Sequence, residues 1–236
     1  MRTQQLAAPN GAARPTTAVI LGALLLALAA CSPQKAPQTT AEYVQWFEAE
    51  DHGYLAEKCF RGFCFRAQLQ PKELLVANQL RNKTTAAKAD LEALESAYEN
   101  GQHVRLQLQR DSESEQKGLD LPALISSDYS EYASNTEYLA FDLKSNAMLV
   151  RDADTVKAIG YHYERSFGMG HPETFVFVFP EFEQAGNSPL RFVFDDPVLG
   201  CGRIKFGFTP DQVPPLPQPI SASAPELVAQ QQTNPN

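Results

Sequence analysis

Beyond residue 30 the sequence has no apolar run approaching the ~20 residues that a membrane-crossing helix requires, so no such span is expected in the body of the chain. Basic residues are scarce: 20 Lys and Arg stand against 28 Asp and Glu, a formal charge of −8. Neutralising phosphates takes Lys and Arg, which argues against nucleic acid as a partner. The four histidines, His52, His103, His162 and His171, show no His-x-x-x-His or His-Glu-x-x-His spacing that would put two imidazoles on one helix face. No metal or cofactor is expected. Gly-x-Ser-x-Gly, Gly-x-x-x-x-Gly-Lys-Ser/Thr and Gly-x-Gly-x-x-Gly are also missing, and Gly168-Met169-Gly170 falls between expected strands rather than at a strand-to-helix turn. No internal repeat of 20 to 50 residues is visible.

What is present begins with Arg2 and Arg14, no acid, and an apolar run from Ala18 to Ala30. This is the order of an export signal. As a helix the run spans roughly 20 Å, short of a ~30 Å hydrocarbon core. It ends in Leu28-Ala29-Ala30-Cys31, which resembles the lipobox of bacterial lipoproteins. The resemblance implies cleavage of residues 1–30, a diacylglyceryl group on the Cys31 sulfur, a further acyl chain on its new amino group, and the lipid bilayer as a partner. Two or more acyl chains make attachment stable where one is marginal. Ser32, in place of the Asp that retains enterobacterial lipoproteins at the inner membrane, implies the outer membrane. Removing residues 1–30 takes away two arginines and leaves 18 basic against 28 acidic residues, a formal charge of −10.

Residues 31–41 are polar and proline-containing, a flexible tether. Thr39-Thr40-Ala41-Glu42 has the form of a capping box, after which Tyr43, Trp46 and Phe47 fall on one helical stripe. That stripe is expected to pack on the domain, with an aromatic foot on the membrane as the alternative. From Lys58 to Gln70 the period becomes two, with Phe63, Phe65, Ala67 and Leu69 on one face and Cys64, Arg66 and Gln68 on the other, a half-buried strand ended by Pro71. Leu74, Leu75 and Leu80 suggest a short helix. Ala87, Leu91, Leu94 and Tyr98 mark another, closed by Asn100-Gly101 as a left-handed cap. Val104, Leu106 and Leu108 alternate with polar residues in a strand with one wet face. Residues 111–118 read as a loop and Asp128 to Tyr138 as a helix.

Strands are expected at Tyr138–Leu143, Ala147–Arg151, Ile159–Phe167, Phe175–Phe179, Leu190–Phe194 and Ile204–Phe208. The run through Phe175, Val176, Phe177, Val178 and Phe179 is apolar on both faces and belongs inside a sheet. Connections this short leave no room for crossover helices, so the class is α+β, a mainly antiparallel sheet with two or three helices in the N-terminal half, in one domain over residues 42–209. Residues 210–236, containing Pro-Pro-Leu-Pro-Gln-Pro, form an expected disordered tail.

Lipidation of Cys31 leaves three cysteines in an oxidising compartment. A two-residue turn at Arg61-Gly62 would bring Cys59 opposite Cys64 as a non-hydrogen-bonded pair, within disulfide reach, and leave Cys201 free. The competing arrangement ties Cys59 or Cys64 to Cys201. A catalytic thiolate at Cys201 would need a neighbouring His or positive charge, which the sequence does not place there.

Three functions are compatible with these residues. The first is a non-enzymatic binding or structural module of the cell envelope with an envelope protein as partner. The second is a hydrolase using dispersed carboxylates around His162, Glu164, His171 and Asp195, with Asp196 beside it. The third is a small-ligand binding protein walled by the Phe-rich sheet. Trp46-Phe47-Glu48, Phe65-Arg66-Ala67-Gln68-Leu69-Gln70-Pro71 and the later Phe-rich strand together look like uncharacterised envelope lipoproteins of diderm bacteria, a set whose resemblance implies no mechanism.

Overall fold

The computed structural model describes residues 36–81, 88–111, 120–182 and 188–217. Cys31, the expected signal, residues 31–35 of the tether, Ala87 and the chain beyond 217 lie outside these residues, as does most of the loop expected over 111–118.

Helix α1 spans Thr40–Glu48. Its start is fixed reciprocally: the Glu42 N–H donates to Thr39 Oγ1 at 3.1 Å, and the Thr39 N–H donates to Glu42 Oε2 at 3.3 Å. Tyr43 and Phe47, one turn apart, are fully buried, so the aromatic stripe packs on the domain. Strands β1 (Leu55–Phe60) and β2 (Phe63–Gln70) pair antiparallel with Phe60 opposite Phe63 and Cys59 opposite Cys64. Arg61 and Gly62 both hold positive φ, 52° and 80°, the type I′ geometry whose twist matches two-residue hairpins.

After Pro71 come α2 (Lys72–Leu80) and α3 (Lys88–Ala97), packed through Val76 and Leu80 against Leu91, Leu94 and Tyr98. Neither Asn100 nor Gly101 takes a left-handed conformation, so the expected cap is absent. Gly101 sits close to the sheet: a Cβ there would meet Val178 Cγ1 at 3.1 Å, because the chain enters β3 (Gln102–Arg110) against a neighbouring strand. Helical turns α4 (Leu121–Leu124) and α5 (Tyr129–Glu137) follow, the latter capped by Asp128, which accepts from the Glu131 N–H at 2.9 Å.

The strand expected at Tyr138–Leu143 is instead a π-turn over Tyr138–Asp142 leading into a 3₁₀ turn over Leu143–Asn146. Leu139 and Leu143 are its buried residues, four apart, while Phe141 is 68% exposed. That spacing is helical, and the apparent alternation was coincidental. The remaining strands are β4 (Ala147–Arg151), β5 (Asp154–Lys157), β6 (Gly160–Glu164), β7 (Glu173–Phe179), β8 (Leu190–Asp196) and β9 (Gly202–Phe208).

These strands make two antiparallel sheets, one in the order β1-β2-β3-β7-β6 and one in the order β5-β4-β8-β9. The class is α+β and the sheets are antiparallel throughout, but there are two of them because the apolar faces of the late strands need a partner surface. Phe177 and Phe179 of the first sheet meet Phe192 of the second at ring separations of 5.7 and 6.1 Å. Each such fully buried side chain contributes about 1.5–3 kcal/mol. β7 lies between β3 and β6, one position in from the edge.

Helix α1 covers part of the outer faces of β2 and β3, the latter expected to be wet. The Gln68 side chain is buried under α1 and donates to the Phe47 carbonyl at 3.1 Å, and the Arg105 guanidinium approaches the Glu48 carboxylate at 3.7 Å. The first residues of the expected disordered tail are held in place. Residues 211–217 dock on the helices, with Val213 and Leu216 packed on the cluster of Tyr43, Phe47, Tyr54, Leu74 and Ala77.

Candidate functional site

The carboxylates and imidazoles of the hydrolase reading do not converge on one site. His162 and Glu164 share the outer face of β6, 4.0 Å apart, with both side chains mostly in solvent. His171 is exposed in the β6–β7 loop. Asp195 lies on the other sheet, where Arg203 donates to both its oxygens at 2.6 and 3.0 Å across the β8–β9 pair. Those bonds hold its carboxyl below the usual range. Asp196 accepts from the N–H groups of Val198, Leu199 and Cys201 at 3.1, 3.0 and 2.7 Å, and so shapes the turn into β9. Among the described residues no hydrogen bond or ion pair joins His162 or Glu164 to His171 or Asp195.

Cys59 and Cys64 are joined in a disulfide with Cα atoms 4.0 Å apart, and Cys201 is free and half-buried. The competing pairing with Cys201 is excluded. Burial, with the Asp196 carboxylate beside it, pushes the Cys201 thiol up, away from the thiolate that nucleophilic attack requires. Glu57 and the two hairpin cysteines lie within 4.8 Å of one another, a spacing a metal could use. Sulfurs bonded to each other offer no thiolate, so that cluster binds metal only if reduced.

A group not singled out from the sequence is the fully buried carboxylate of Glu173. It accepts from Tyr163 Oη at 2.8 Å, from the Ser166 N–H at 3.0 Å and Oγ at 2.9 Å, and from the Leu121 N–H at 3.2 Å. Burial, with this carboxylate next, pushes the Tyr163 phenol far up, so it remains a donor. Beside it Arg165 binds both oxygens of Asp120 at 2.7 and 2.8 Å and donates to Tyr132 Oη. The network fastens α4 and the β6–β7 loop to the sheet. It is legible in retrospect: Glu173 shares the period-two face of Phe175, Phe177 and Phe179, which places its carboxylate inward.

A concavity lies at the end of the sandwich where β2 ends and β3 begins. A groove of about 650 Å³ runs past Leu69, Gln70, Lys72, Tyr98, Glu99 and Gln102. A second of about 390 Å³, reaching Arg151, shares Leu69, Gln102 and Pro210 with it. The Arg151 guanidinium lies 4.7 Å over the Phe182 ring, and its Nε is buried without a hydrogen-bond partner. Apolar walls, amides and charges of both signs suit a small polar ligand or a peptide. By contrast Phe175 of the Phe-rich strand borders a void of about 10 Å³, at the lower limit of what one water occupies. Comparison with protein-family models, with curated proteins and with solved structures finds no match.

Proposed function

We propose that this chain is a lipid-anchored lipoprotein of the cell envelope whose α+β domain is a non-enzymatic binding module. One observation supports the module over the hydrolase: Asp195 and Asp196 are engaged in bonds that set a strand pair and a turn, and they lie on a different sheet from His162 and Glu164. General acid–base work needs a carboxyl within reach of a substrate proton. The end groove, with its amide and aromatic lining, is the surface such a module would use. The anchor rests on Leu28-Ala29-Ala30-Cys31 at the end of the apolar run.

Expression of the chain and of Cys31→Ser in a diderm bacterium fed a clickable fatty acid tests the anchor. The unaltered chain takes the label and loses residues 1–30, whereas the variant stays unlabelled and uncleaved. Equal label in both would overturn the anchor and the envelope location that depends on it.

A further inference from the structure

Residues 211–217, Asp-Gln-Val-Pro-Pro-Leu-Pro, lie in a groove floored by aromatic side chains of α1 and of the approach to β1. Tyr54 Oη donates to the Asp211 carbonyl at 2.6 Å, and Tyr43 Oη donates to the Pro214 carbonyl at 3.0 Å. Val213 and Leu216, three residues apart, both pack on the cluster beneath, and Pro217 is buried. Three residues is one turn of a polyproline II helix, which returns side chains to the same side. At the entry the Asp211 N–H donates to the His52 carbonyl at 3.1 Å. The Asp211 carboxylate meets His52 Nδ1 at 3.1 Å, and that imidazole stacks on Trp46 at 3.8 Å.

Proline has no N–H and cannot enter a β-ladder; what a proline-rich segment offers is carbonyl oxygen and a restricted backbone. The groove supplies the complement, two phenolic donors above an apolar floor. Burial raises both phenols, Tyr54 to about 12, so both carry their protons across the neutral range. The segment is held by side-chain donors and apolar contacts rather than by strand pairing. A separate peptide would satisfy the same donors.

We propose that this groove is a recognition site for extended proline-rich peptides, occupied in cis by residues 211–217 and able to take the same kind of segment in trans. The cis segment competes at an effective concentration in the millimolar range, so a trans ligand binds measurably when the cis contact is weakened. The proposal is independent of the lipid anchor; its groove adjoins the end groove, which Tyr54 and Pro210 also line.

Trp46, the single tryptophan, reports on the contact through His52. The full chain carrying Leu216→Asp should show altered Trp46 emission and lose hydrogen-exchange protection at residues 211–217. Synthetic Asp-Gln-Val-Pro-Pro-Leu-Pro should then restore the original emission saturably, at least tenfold more tightly than it binds the unaltered chain. The same peptide with alanine for each proline should bind at least tenfold more weakly, and so should the parent peptide to a chain also carrying Tyr43→Phe and Tyr54→Phe. Equal binding of the alanine peptide, or no restoration at millimolar peptide, would overturn the proposal. If Leu216→Asp fails to fold, a protease site inserted after Pro210 allows the segment to be cut from the already folded chain. The cut segment should exchange with labelled peptide, and failure to exchange would overturn the proposal equally.

Discussion

Cys59 and Cys64 face each other across the β1–β2 hairpin, bonded, one residue pair behind a turn in which Arg61 and Gly62 both hold positive φ. The closed loop is short, so removing the bridge with Cys59→Ser and Cys64→Ser should cost about 2 kcal/mol in denaturant unfolding. Gly62→Ala isolates the turn. A Cβ at residue 62 would touch nothing within 4 Å, so a loss of about 1–2 kcal/mol would be purely backbone strain. A loss under 0.3 kcal/mol would show that the turn rearranges at no cost.

Glu173→Gln should be the most damaging conservative change in the β6–β7 region. One amide NH₂ would replace a carboxylate oxygen that now faces only donors, the Tyr163 hydroxyl and the Ser166 N–H or the Ser166 hydroxyl and the Leu121 N–H. At about 1–3 kcal/mol for each buried group left unsatisfied, the variant should lose about 2–4 kcal/mol by urea denaturation. Tyr163→Phe, which removes one donor and leaves the carboxylate three others, should lose roughly 1 kcal/mol. The reverse ranking would mean that the carboxylate is not the organising group.

His103 supplies a pH dependence. Burial lowers its pKa below the ordinary histidine value of 6.5, and the Gly101 backbone only partly offsets this. The unfolded chain therefore binds a proton before the folded one does, and stability is intact above pH 6.5 and declines as pH falls from there through the folded pKa. His103→Gln should narrow the difference between urea midpoints at pH 7.5 and pH 5.5. An unchanged difference would assign the acid sensitivity to other groups.

The parts of this fold that could be read from the sequence are those settled within a few residues. The Thr39–Glu42 capping box and the Arg61-Gly62 hairpin depend on local hydrogen bonding and on glycine's access to positive φ, and both register and disulfide follow from them. Tyr138–Leu143 reads as a strand because six residues with Leu139, Phe141 and Leu143 in alternation fit period two and period 3.6 about equally, and only the sheet edge the segment packs on decides. The burial of Gln68 beneath α1 and the seating of Val213 and Leu216 depend on residues far away in sequence. No local pattern carries that information. For the same reason the separation of Asp195 from His162 onto different sheets became visible only in three dimensions.

The hydrogen bond from Tyr43 to Pro214 spans 171 residues of sequence. Helix α1 is among the first elements of the domain to be synthesised, yet the segment that covers its aromatic face is among the last. At about 5–20 residues per second, the face waits roughly 10–35 s for its cover. Tyr54, Leu74 and Ala77 of the same cluster follow α1 closely in sequence, so what waits for residues 211–217 is the last layer of that cover rather than the whole of it.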